Sequence, residues 1–199
     1  MEWLDVVDEA NRPLGYSKPK PQIHRDGDWH RTTHVYVLNG ENELLCNLRQ
    51  ADKDLFPSVW DLSFGGHVSA GETYEETARR ELEEELGVTI RLEDLHFLYT
   101  MVVDGFDEGS GLTDREHTAV YLWRTDRPVN GFEFQEEEIA EIRYLPLSGL
   151  KDELTGRSRT LPLIPLPKMF LYALNGIDAF LKTGSVSTPA QPRFHWRDL

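Results

Sequence analysis

The stretch from Thr73 to Gly87 constrains this chain more than any other. Thr73 and Glu76 stand at capping-box spacing, so each side chain can satisfy a backbone N–H that a helix start leaves without a partner. Tyr74, Ala78, Leu82 and Leu86 recur every four residues, and the 3.6-residue period aligns them on one face that seeks a core. Gly87 supplies the stop. The pattern predicts a helix from about Thr73 to Leu86. Glu81, Glu84 and Glu85, at i, i+3 and i+4, fall within an arc of roughly 100° on that helix. Three carboxylates so placed repel one another. A hard divalent cation such as Mg²⁺ or Mn²⁺, which prefers oxygen ligands, reverses the sign of that effect.

Other segments read more plainly. Trp3-Leu4-Asp5-Val6-Val7 is strand-like and is followed by a polar turn at residues 9–13. Residues 17–31, rich in Lys, Pro, Asp and His, read as an irregular loop. Residues 35–38 and 44–48 form an expected hairpin, where Asn39-Gly40 favours a tight turn. Strands are expected over 95–103, 118–124 and 139–146. The Gly-rich acidic stretch 104–114 reads as a mobile loop between the first two. A second helix over 167–182 should pack on the sheet, and residues 184–199 read as a loose tail. Residues 1–183 therefore make one mixed α/β domain.

Composition narrows the function. With 21 Lys+Arg against 35 Asp+Glu, the formal charge of −14 disfavours a duplex nucleic acid partner. It leaves room for a small phosphorylated ligand, because a bound cation inverts the local field. Cys46, the single cysteine, excludes an intrachain disulfide and a cysteine-rich zinc site; its apolar run Leu44-Leu45-Cys46 indicates burial. Glu2 and Asp5 interrupt the start, and no apolar stretch is long enough to span a bilayer, so no membrane partner and a cytoplasmic location are expected.

Gly66, five residues, Glu72, seven residues, then Arg80-Glu81-Leu82-Glu83-Glu84-Glu85-Leu86-Gly87-Val88 resembles the Nudix box at every defined position. The resemblance implies an α/β/α sandwich with a mixed sheet and a catalytic loop-helix-loop. It implies Mg²⁺ or Mn²⁺ held by Glu81, Glu84 and Glu85 with help from the carbonyl of Gly65. Glu72 and Arg80 would join loop to helix as an ion pair, and Gly66 and Gly87 would shape the motif. Glu84 and then Glu81 are the candidate proton acceptors for the attacking water. The implied reaction is hydrolysis of a diphosphate linkage in a small molecule, such as a nucleoside diphosphate derivative or an isoprenoid diphosphate.

Residues 3–147 also resemble the branch of the superfamily around type I isopentenyl-diphosphate isomerase. His30-Arg31, Phe56-Pro57-Ser58-Val59-Trp60 and Asp114-Arg115-Glu116 carry that likeness. By it, His24, His30, His67, Asp114 and Glu116 would hold a metal, and Lys20, Arg49 and Lys53 would contact the diphosphate. The likeness breaks at Ser63-Phe64-Gly65-Gly66-His67, where Gly65 stands at the position of the isomerase cysteine. Glycine cannot transfer a proton, so hydrolysis is favoured over double-bond isomerisation. A non-catalytic diphosphate-sensing module is the other alternative, and a homodimer is compatible with the family. Trp29, Trp60, Phe64 and Phe106 are candidates for a pocket wall. Specificity is expected in the 17–31 and 104–114 loops, and Glu116 or Glu138 could serve as a further carboxylate from outside the box.

Overall fold

The computed structural model describes residues 1–53, 55–109, 111–186 and 191–196. Strands β1 (Trp3–Val7) and β2 (Pro13–Pro19) form a hairpin at one edge of a mixed sheet and lead into helix α1 (Lys20–Asp26). Strands β3 (Trp29–Leu38) and β4 (Glu43–Arg49) follow, then the two-residue β5 (Trp60–Asp61) and helix α2 (Tyr74–Leu86). Beyond it come β6 (Leu95–Asp107), β7 (Leu112–Arg124), β8 (Ile139–Pro146), α3 (Leu147–Leu154), α4 (Pro167–Thr183) and β9 (Arg193–His195). The main path of the sheet is β2-β1-β3-β7-β6-β9, with β4 pairing β3, β5 and β8. β3 and β7 run parallel while β6 and β7 are antiparallel, which makes the sheet mixed.

Alternation along the central strands sorts two cores. Tyr36 and Leu38 of β3, with Val120 and Leu122 of β7, face α3 and α4 and pack against Leu150, Phe170, Leu174 and Ile177. Val35 and Val37, with Ala119 and Tyr121, face the other way onto Ala78, Leu82 and Leu86 of α2. A pleated strand sends successive side chains to opposite faces, so one run of apolar residues serves two helical layers. The result is the expected α/β/α sandwich. Helix α2 starts with both halves of the capping box and ends on Gly87 in the left-handed conformation.

Several local expectations are corrected. Residues 17–31 hold the end of β2, α1 and the start of β3 rather than an irregular loop; Ile23, fully buried, anchors α1. The strands expected to end at Val103 and to begin at Thr118 continue as a long hairpin, pairing through Asp107↔Leu112. Their polar ends lack the hydrophobic period, yet cross-strand bonding carries them on. The β3–β4 connection is not a two-residue turn on Asn39-Gly40. Asn42 takes the positive φ of 60°, and the Asn39 side chain accepts from the backbone N–H groups of Glu41 and Glu43. Helix α3 went unseen in the sequence because it spans barely two turns. Finally, the expected loose tail contains β9, parallel to β6 through Val102↔Arg193, Val103↔Phe194 and Asp104↔His195. Phe194 against Tyr172 and Trp196 against Phe56 supply the packing. Among the described residues no helix is long and apolar enough to cross a membrane.

Candidate active site

Two acidic centres meet at one end of the sheet. The first is local to α2. Glu85 is partly buried and accepts the Gly65 N–H at 3.0 Å. Glu81 leans against Gly66, where an added Cβ would come within 2.6 Å of its Oε1. Glu84 is the open member, its side chain 54% exposed. Arg80 spans the group, donating to Glu72 at 3.2 Å, Glu81 at 2.9 Å, Glu84 at 3.0 Å and the His67 carbonyl at 3.3 Å. The expected Glu72–Arg80 pair is thus present, and Thr77 also donates to Glu72. Burial drives the Glu81 carboxyl up to about 7, partly opposed by Arg80. Burial, reinforced by the Glu81 charge, holds Glu85 well above the usual carboxylate range.

Gly65 meets this helix through its N–H. Its φ of +139° is rarely open to residues with a side chain, and a Cβ there would lie 2.1 Å from the Thr33 carbonyl oxygen. No side chain fits at that position without moving β3.

The second centre is assembled from four segments. His24 comes from α1, His30 from β3, His67 from the loop that bridges Thr32, and Asp114 and Glu116 from β7. The parallel register sets His30 opposite Glu116 and Thr32 opposite Thr118. His30, Thr32 and His34 therefore continue the same strand face as Tyr36 and Leu38, as Asp114 and Glu116 continue that of Val120 and Leu122. One sheet face is apolar where α4 covers it and polar beyond. The Nε2 atom of His24 lies 3.4 Å from that of His30 and 3.3 Å from that of His67. His30 Nε2 is 3.7 Å from both Asp114 Oδ1 and Glu116 Oε1, and His67 Nε2 is 3.9 Å from Glu116 Oε1.

Desolvation dominates the electrostatics here. It keeps the imidazoles of His24, His30 and His67 neutral, His30 being lowered to about 3, with Lys20 adding to the effect. It also raises Asp114 and Glu116, and the Asp114 charge raises Glu116 further. Among the described residues Asp114 Oδ1 is buried without a hydrogen-bond partner. Neutral imidazoles around two carboxylates, one oxygen of them orphaned, form a donor set that suits a divalent cation.

A cavity of about 240 Å³ adjoins this centre, lined by Gly65, Gly66, His67, Asp114 and Glu116 at one end. Arg49 lines it as well; its Nε and Nη2 donate to the carbonyls of Phe56 and Leu55, and Nη1 lies 3.9 Å from Asp61. Lys20 is half-exposed, 3.3 Å from Glu2. Lys53 is engaged with Glu138, outside the cavity lining, so Glu138 is also committed.

The aromatic candidates from the sequence sit elsewhere: Trp60 and Phe64 are core, Trp29 lies against His117 and Phe106 is exposed. Phe56, Phe170 and Trp196 line the cavity instead, together with Thr33, His34, Asp61 and Met169. Sequence reading missed these residues. The run Phe194-His195-Trp196 beyond a Ser- and Pro-bearing stretch was the one available signal for the last of them.

Residues 28–166 match the NUDIX domain family. A Nudix hydrolase of Pseudomonas aeruginosa is 36% identical over 165 residues, covering 82% of this chain and 88% of its own length. Nudix hydrolase 3 of Arabidopsis thaliana is 35% identical over 157 residues, 77% of this chain, although the chain spans only 20% of that longer protein. The crystal structure of DR0079 from Deinococcus radiodurans superposes with a TM-score of 0.65 at 26% identity, covering 86% of this chain and 98% of that one. The NUDIX domain of Shewanella oneidensis NrtR, solved with ADP ribose, shares the fold at a TM-score of 0.54 and 17% identity, covering 76% and 87%. The chain belongs to the Nudix family. Its class is accordingly that of hydrolases acting on phosphorus-containing anhydrides.

Proposed function

We propose that this protein hydrolyses a diphosphate linkage in a small molecule, with divalent cations held between α2 and the histidine–carboxylate centre. One observation carries the reading: an intact Glu81, Glu84 and Glu85 set faces a second cluster of donors across Gly65-Gly66-His67. Mg²⁺ or Mn²⁺ bound there would neutralise phosphate charge and lower the pKa of the attacking water. Glu81, Glu84 and Glu85 would hold one cation; His24, His30, His67, Asp114 and Glu116 would hold another.

The chain's own residues do the rest. Glu84 faces solvent and is the first candidate to take the water proton, with Glu81 second. Arg80 restrains both carboxylates, and the Gly65 N–H fixes Glu85. Arg49, at the cavity wall, and Lys20, near the histidines, supply positive charge toward the diphosphate; Lys53 is spent on Glu138.

Double-bond isomerisation fits poorly. The position that would need a proton-transferring side chain has no space for one, and Cys46 is fully buried in β4, its Sγ donating toward the Leu44 carbonyl. Incubation with Mg²⁺ or Mn²⁺ and a panel of diphosphates, followed by phosphorus NMR, tests the proposal. Cleavage by the wild type that Glu84→Gln abolishes is expected. Equal inertness of both proteins across the panel would remove its support.

A further inference from the structure

The connection from β4 to β5 carries backbone strain at the cavity wall. Among the described residues other than glycine, Asn11, Asn42, Phe56 and Ser58 take a positive φ. Asparagine visits that region readily, because its short polar side chain bonds locally. Phe56 at 52° and Ser58 at 58° have no such excuse. Phe56 is the harder case. It is bulky, and it stands before Pro57, whose ring drives the preceding residue toward extended backbone. Such outliers persist only where the surroundings over-determine them, and they gather at functional sites.

Arg49 supplies the restraint. From the end of β4 its Nε donates to the Phe56 carbonyl at 3.0 Å and its Nη2 to the Leu55 carbonyl at 2.9 Å. The left-handed turn at Phe56 brings two consecutive carbonyls to one planar guanidinium, whose rigid fork of donors suits them. Among the described residues no other side chain hydrogen-bonds to the backbone of residues 55–58. The turn so held sets the Phe56 ring edge-on to Trp196 at 5.9 Å, and both rings line the cavity. Trp196 is the fixed half of the contact. Its indole lies on the β6 backbone at Gly105, where an added Cβ would come within 2.3 Å of a ring carbon. Parallel pairing of β9 on β6 and an ion pair from Arg193 to Glu9 at 2.9 Å hold that segment.

For its part in the reaction resting on the function proposed above, we infer that Arg49 is a positioning residue as well as a source of positive charge. Its fork holds the Phe56 turn, and through it the Phe56–Trp196 wall of the cavity, against the preference of the backbone. The two duties separate by substitution. Lysine keeps the charge and loses the fork, whereas glutamine loses both.

Fluorine NMR of the ligand-free protein labelled with 5-fluorotryptophan tests the wall, the Trp196 line being assigned with Trp196→Phe. Phe56→Leu removes the ring edge and marks the position of that line for an open wall. Arg49→Lys and Arg49→Gln should each move it the same way and leave the Trp3, Trp29 and Trp123 lines in place. Strain at Phe56 is tested by melting. Phe56→Gly should melt about 2–4 °C above Phe56→Ala, because glycine adopts a positive φ at no steric cost; on entropy alone alanine would be the more stable. Inorganic diphosphate, titrated calorimetrically with Ca²⁺, reads the charge: Arg49→Gln should weaken it about tenfold and Arg49→Lys less. A Trp196 line that keeps its wild-type position in Arg49→Lys would overturn the inference, as would Phe56→Ala melting at or above Phe56→Gly. Wild-type protein that binds no inorganic diphosphate would count against the hydrolase reading, while the fluorine and melting results would still decide what holds the wall.

Discussion

The two acidic centres solve the same electrostatic problem in different ways. On α2, Arg80 reaches Glu72, Glu81 and Glu84 at once, so much of the carboxylate charge is compensated inside the protein. Around His30, Asp114 and Glu116 have no Arg or Lys partner in an ion pair among the described residues; Lys20 acts on them only through space. The second centre has neutral histidines around two carboxyls that burial pushes above their usual range. Both centres hold carboxyls that burial pushes up, so a cation displaces protons at either, and at the first it must also compete with Arg80. The histidine–carboxylate centre is therefore expected to bind metal on its own, and the α2 centre more weakly until a diphosphate bridges the two.

The largest effect that would sharpen this contrast is catalytic. Glu84→Gln should lower kcat by about 10²–10⁴, the range for loss of a proton acceptor. The melting temperature should move little, because Glu84 is mostly exposed. A variant with near-normal turnover would move the proton acceptor to Glu81 or beyond α2. Next comes the hinge between the centres. Gly65→Ala must push against the Thr33 carbonyl and should destabilise by about 2–3 kcal/mol in urea titration. Gly71→Ala, where no atom of the described residues lies within 4 Å of the added Cβ, isolates the cost of positive φ alone. Equal losses in the two variants would show that the close approach at Gly65 carries no weight.

Third, His30→Gln should weaken Mn²⁺ binding to the ligand-free protein by about tenfold or more. Glu84→Gln should leave that binding unchanged, and the reverse pattern would exchange the roles of the two centres. The smallest effect is in stability against pH. The Glu81 carboxyl is raised from 4.5 to about 7 in the folded protein. The folded state thus holds that proton more tightly than the unfolded chain, and its stabilising share is present below 4.5 and lost as pH rises toward 7. His24, His30 and His67 are shifted down and act in the opposite sense, so the wild-type curve alone mixes the two. The metal-free melting temperature of Glu81→Gln should rise relative to wild type between pH 4.5 and 7. A difference that stays flat would mean that Glu81 is not desolvated as described.

The same contrast explains what could be read without coordinates. Helix α2 declares itself because cap, apolar stripe, carboxylate arc and stop all lie within one short segment governed by one period. The histidine–carboxylate centre has no local period of its own. Only the family likeness brought His24, His30, His67, Asp114 and Glu116 together; their strands were read as starting at Val35 and Thr118, where the apolar alternation starts. The polar half of each strand obeys the same two-residue alternation, with His30, Thr32 and His34 in line with Tyr36, but polar alternation looks like loop sequence. Lys53 illustrates the converse error. A cation near the expected site is not free when a glutamate from distant sequence, Glu138, claims it. Trp196 had only the run Phe194-His195-Trp196 to mark it, because its place depends on a parallel strand pairing across about ninety residues.

Anomalous diffraction from crystals soaked in Mn²⁺ with a non-hydrolysable diphosphate analogue tests the central claim most directly. The expected result is a peak among Glu81, Glu84 and Glu85 and another among the three histidines, Asp114 and Glu116, with the analogue spanning them. Density for the analogue with no manganese beside the α2 glutamates would contradict it.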